Sequence, residues 1–141
     1  MLNQIKEKFQ QVSEIVIEQA GTIGETAKEK SLQLIEEWLM VFPKIESYGL
    51  NITSFGIGVA ISPSLEVELT GEAQDFSKER VKQILKDNKG STPITSVFKT
   101  IQMTRDFHDK IGADCNDKLI VKVWVKIPPV VKVFLGEPSI Q

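Results

Sequence analysis

The chain has 141 residues, 41% of them apolar, 26% charged and 7% aromatic, with a formal net charge of −2. A length of this order predicts one domain, and the apolar and charged fractions are those of a globular protein, which excludes global disorder and the fibrous classes. The longest unbroken apolar run, Trp38–Phe42, is far below the roughly 18 residues of a bilayer span; the start, Met1–Lys8, has no signal-peptide core; and one Cys excludes an internal disulfide and a Cys-based zinc site, so a soluble, cytoplasmic protein is expected.

The first forty residues carry a helical stripe. Leu2, Ile5, Phe9, Val12, Val16, Ala20, Ile23, Ala27, Ser31, Leu34, Trp38 and Val41 recur at a mean step of about 3.5, one face of a helix. Gly21 and Gly24 interrupt it, each costing about 1 kcal/mol against Ala, so two helices are predicted, about 2–20 and 25–42, with Thr22 or Thr26 capping the second. Pro43 disfavours helical geometry at Phe42 and predicts an end or kink there. A short turn to Tyr48 and a stop at Gly49 follow.

Alternation then takes over. Ile57, Val59 and Ile61, and after Pro63 Leu65, Val67 and Leu69, read as two half-buried strands of a hairpin ended by Gly71. A third helix is predicted at about 76–89, with Val81, Ile84 and Leu85 inward, Ser77 as cap and Gly90 as stop. Pro93 opens a fourth, whose stripe is Ile94, Val97, Phe98, Ile101, Phe107 and Ile111, with Gly112 as stop. The last strands place Leu119, Val121, Val123, Val125 and Ile127 on one face, then Val131, Val133 and Leu135 after Pro128-Pro129.

A shift of 66 residues brings Ile57, Val59, Ile61 and Pro63 onto Val123, Val125, Ile127 and Pro129, and Leu65, Val67 and Leu69 onto Val131, Val133 and Leu135. Upstream, Leu32, Ile35, Val41 and Ile45 meet Phe98, Ile101, Phe107 and Ile111. Two amphipathic hairpins can be slid into phase by chance; the coincidence of helix, hairpin and Pro at one offset favours an internal duplication. Either reading gives an α+β fold of two α-α-β-β halves. Two hairpins form a four-stranded antiparallel sheet with helices on its apolar face. The expected organisation is an N-terminal amphipathic helix (1–24) able to detach, a helix-plus-hairpin unit (25–71), a connecting helix (72–90), a second unit (91–137) and a tail (138–141).

Little chemistry is available. There is one His, His108, and one Cys, Cys115. A catalytic pair of the two is conceivable, but an ordinary surface His and a loop Cys are the plainer reading. Asp106, Asp109, Asp114 and Asp117 cluster without calcium-loop spacing and read as a solvated loop, so neither a metal site nor a cofactor is predicted. Lys78, Lys82, Lys86 and Lys89, with Arg80, make a basic helix face, but the pI of about 5.5 and the lack of interleaved aromatics argue against nucleic acid. Residues 1–46 hold five Lys and eight Glu, which disfavours an anionic membrane surface.

The even-numbered strand faces are more informative. One hairpin presents Gly56, Gly58, Ala60, Glu66 and Glu68; the other presents Ile120, Lys122, Trp124, Lys126, Val130, Lys132 and Phe134. Lysines are almost never fully buried unpaired, so Trp124 and Phe134, with Lys122, Lys126 and Lys132 around them, are predicted to form a contact surface; cover by a helix of the same chain is the competing reading. The leading function is therefore a non-catalytic protein acting through its surfaces, as a homo-oligomer or a subunit of an assembly. The runner-up is a carrier or sensor of an apolar small molecule or lipid, with Trp38, Phe42, Phe98 and Phe107 lining a cavity between helices and sheet. The third is a carboxylate-based enzyme.

Overall fold

A computed structural model of the chain describes residues 2–19, 25–59, 62–112, 118–136 and 138. Helix α1 spans Leu2–Gln19 and α2 Glu25–Ser47; strands β1 (Asn51–Val59) and β2 (Pro63–Glu72) follow, then a 3-10 turn at Ala73–Asp75, helices α3 (Lys78–Asp87) and α4 (Thr92–Ile111), and strands β3 (Lys118–Val125) and β4 (Val130–Leu135). All four strands lie in one antiparallel sheet in the order β1-β2-β3-β4. The two hairpins therefore join edge to edge through β2 and β3, the α+β arrangement expected from the alternation.

Several expectations fall outside the described residues: the break at Gly21 and Gly24, a Thr22 cap, the inward side chains of Phe9, Val12, Val16, Ala20, Ile23 and Ala27, and Ala60, Ile61, Asp114, Cys115, Asp117 and the tail at 139–141. Thr26 lies inside α2 rather than before it.

Each described boundary has a local cause. Helix α3 starts where the Ser77 hydroxyl accepts the Arg80 backbone N–H, and α4 starts where the Ser91 hydroxyl accepts that of Ile94. Gly112 closes α4 in the left-handed conformation, φ 65°. Helix α2 does not end at Phe42. It carries Pro43 in its interior and continues to Ser47, with Gly49 at φ 114° turning the chain into β1. Pro43 itself is exposed, while Phe42 and Ile45 on either side are wholly buried. Burying that last turn outweighs the hydrogen bond Pro cannot make.

The core lies between the helices and one face of the sheet. Ile5 of α1, then Ile35, Trp38, Phe42 and Ile45 of α2, then Val97, Phe98 and Ile101 of α4 pack against Leu65, Val67, Leu69, Leu119, Val121, Val123 and Val125. Helix α1 is thus anchored in the core through Ile5. Phe76, expected on the third helix, precedes it and fills the core beside Phe98, with ring centroids 6.1 Å apart.

Four strand expectations are corrected. Strand β1 begins at Asn51, before the alternating run, because an irregularity between Ile52 and Ser54 lets Ile52 and then Phe55 and Ile57 share the core side. Gly71 does not end β2; it pairs with Leu119 inside the sheet. Ile127 lies beyond the end of β3 and is exposed. Val59, expected in the core, is 50% exposed, and Val133 is only half-buried. Both belong to edge strands, which have a neighbouring strand on one side only. The apolar phase at 59 and 125 is therefore alike, but the burial is opposite, Val125 being fully enclosed.

This contrast sets a measurable difference. Val123→Ala is expected to cost about 1–2 kcal/mol on denaturant unfolding, since two methyls leave a closed site. Val59→Ala should cost less than about 0.5 kcal/mol, as for a surface change. Equal costs at the two positions would show that burial on this face does not fall off toward β1.

Candidate functional site

The other face of the sheet carries the residues singled out by alternation, and strand pairing arranges them in rows. Gly56, Glu66, Trp124 and Val130 are level across the four strands. The next row is Ser54, Glu68, Lys122 and Lys132, and a third joins Thr70, Ile120 and Phe134. Antiparallel pairing forces this: residues opposite one another share a face, and β2 supplies the acids while β3 and β4 supply the bases. A concavity of about 520 Å³ opens here, lined on this face by Ser54, Gly56, Glu66, Glu68, Lys122, Trp124, Val130 and Lys132.

Trp124 is 40% exposed and outside the core. The Lys126 ammonium sits 4.3 Å from the centre of its ring, and the Lys122 ammonium sits 5.5 Å from that of Phe134. Each ammonium is thus held at an aromatic ring as a cation–π pair. Phe134 is half-buried beside Ile120, which is itself buried although it belongs to this face. The Thr53 hydroxyl donates to a carboxylate oxygen of Glu68 at 3.2 Å. Among the described residues neither Glu66 nor Glu68 forms an ion pair with Lys122. The face therefore offers an acidic strip and a basic strip with an indole at their border.

Of the four residues expected to line an apolar cavity, three are buried and one is exposed. Trp38, Phe42 and Phe98 are fully buried and packed into the core, Trp38 against Phe42 at 5.9 Å and Phe98 edge-on to Tyr48 at 5.5 Å. Phe107 is 63% exposed. Met103 and Ile111, one turn to either side, are exposed with it.

The charged side chains of the helical layer do separate work. Lys78 bridges to Asp109 at 2.8 Å and to Asp106 at 3.7 Å. The hydrogen bond to Lys78 holds the Asp109 carboxyl below its ordinary range, and the same contact raises the Lys78 ammonium. His108 lies 3.6 Å from Asp109 on α4, in the helical layer. Arg80, read from the sequence as part of a basic stripe, is structural. Its guanidinium donates to the carbonyls of Asp75 and Tyr48 and lies over the Phe76 ring. Nothing in the spacing of the lysines signals this, because the Tyr48 acceptor comes from a turn more than thirty residues upstream. Lys82, Lys86 and Lys89 are exposed.

Among the described residues no three His, Cys, Asp or Glu side chains converge as metal ligands, and no helix is long and apolar enough to cross a membrane. No family model matches this chain, and neither does any curated protein or solved structure.

Proposed function

We propose that this chain is a non-catalytic protein that works through the open face of its sheet, as a homo-oligomer or a subunit of a larger assembly. The observation that carries the reading is the position of Trp124, a large aromatic held outside the core on the sheet face away from it, between acidic and basic strips. Tryptophan in such a setting is the residue type most enriched where protein interfaces hold their binding energy. Phe134, Lys122, Lys126 and Lys132 frame it.

The test is the double change Trp124→Ser, Phe134→Ser. Denaturant unfolding is expected to show a loss of about 1 kcal/mol or less, arising where Phe134 adjoins Ile120. Native mass spectrometry and sedimentation at matched folded concentration should show the assembly weakened at least about tenfold. An unfolded double variant would assign both rings to the protein's own packing, and a folded one whose assembly state is untouched would show that they hold no partner; either result removes the reading.

A further inference from the structure

We propose that the occupant of the open sheet face is a second copy of this chain, the two sheets stacking face to face about a two-fold axis that runs close to the strand direction between β2 and β3. The proposal rests on the open face being the working surface and adds what covers it and in which orientation.

The charge pattern selects the axis. On this face the carboxylates of Glu66 and Glu68 belong to β2, and the ammonium groups of Lys122, Lys126 and Lys132 belong to β3, its extension and β4. A two-fold axis lying across the strands would set β2 on β2, acid against acid. An axis along the strands between β2 and β3 exchanges those two strands while keeping every row at its own level. Glu68 then meets Lys122 of the partner subunit, and by symmetry its own Lys122 meets Glu68 of the partner subunit. In the neighbouring row Glu66 faces Trp124 of the partner subunit, and Gly56 faces Val130 of the partner subunit.

The strand register makes this match possible, because Glu68 pairs with Lys122 and Glu66 with Trp124 within one sheet. Sheets stack about 10 Å apart, a gap that a glutamate and a lysine reaching toward one another fill together. Stacked sheets keep their strands within about 30° of alignment, which a slight tilt of the axis supplies without leaving the rows. A Cβ added at Gly56 would meet nothing within 4 Å, so the β1 side of the platform leaves room for the partner's bulkier strands. An isologous contact of this kind uses one patch twice and closes on itself.

Sedimentation velocity over a dilution series tests the arrangement with four samples: the unaltered protein, Glu68→Lys, Lys122→Glu, and an equimolar mixture of the two variants. The unaltered protein should be a dimer. Each single variant turns two attractions into two repulsions and should raise the dimer dissociation constant about tenfold or more. The mixture should recover dimer, now a heterodimer in which the two exchanged side chains face each other and the two unaltered ones do the same, so that both contacts again set a base against an acid. Recovery on mixing also shows that both variants are folded. An unaltered protein that stays monomeric up to its solubility limit overturns the proposal, as does a mixture no tighter than its components. If the mixture fails while Trp124→Ser, Phe134→Ser still loosens an assembly, the two-fold stack falls and the open face remains the working surface. If neither set of changes touches the assembly, both readings fall.

Discussion

Replacing Phe98 by Ala is expected to lower the unfolding free energy by about 3–5 kcal/mol, the usual cost of deleting a buried aromatic ring. Phe98 is fully enclosed, with Tyr48 edge-on at 5.5 Å and Phe76 at 6.1 Å. Those two rings come from the α2–β1 turn and from the segment between β2 and α3, each tied by further contacts. Arg80 donates to the carbonyl of Tyr48 at 2.7 Å, and the Asn88 amide donates to the Tyr48 hydroxyl at 2.9 Å. A site braced in this way relaxes little, so the space left behind persists and the loss lies toward the upper end of the range. Urea unfolding followed by Tyr and Trp fluorescence measures it. A loss below about 1.5 kcal/mol would show that the surroundings collapse and that Phe98 is not a keystone of α4.

Gly71→Ala is expected to cost about 2–3 kcal/mol, a large effect for one added methyl. A Cβ at this position would lie 2.9 Å from the backbone oxygen of Gly49 and 3.1 Å from both the Leu50 side chain and the Phe76 ring. Carbonyl and ring cannot turn aside as a flexible chain end would, so β2 or the α2–β1 turn must shift. Gly90→Ala is the control. Nothing lies within 4 Å of its added Cβ, and its φ is not in the left-handed region, so it should be neutral or stabilising by up to about 1 kcal/mol through the unfolded chain. Equal thermal denaturation midpoints for the two variants would contradict the close approach at Gly71.

The same glycine shows where reading along the chain stops. Gly71 looks like a strand terminator, because a lone glycine after an apolar alternation commonly marks a turn. It is instead a point where the turn before the hairpin packs closely on β2, and that approach leaves no trace in the neighbouring residues. Arg80 teaches the same lesson on the helical side. Its place in a run of lysines suggests a solvated face, yet the two carbonyls it serves come from other elements. Pro43 is the reverse case, a strong local signal overruled by the burial of Phe42 and Ile45.

Periodicity alone was enough for the four helices, the two hairpins and the faces of β2, β3 and β4, because the 3.6- and 2-residue repeats are imposed by backbone geometry and each element must bury one side. The cap at Ser77 and the stops at Gly49 and Gly112 were equally legible, being local matters of hydroxyl reach and positive φ. The composition of the candidate surface followed as well, since a strand carrying several lysines on one side cannot turn that side to the core. Tertiary structure alone decided that β2 pairs with β3, which sets Glu66 beside Trp124 and Glu68 beside Lys122. It also decided that burial fades toward β1 and β4 and that the later part of α4 is exposed, leaving Val59 and Phe107 in solvent. Phase tells which way a side chain points, whereas burial depends on what another element, distant in the chain, lays over it.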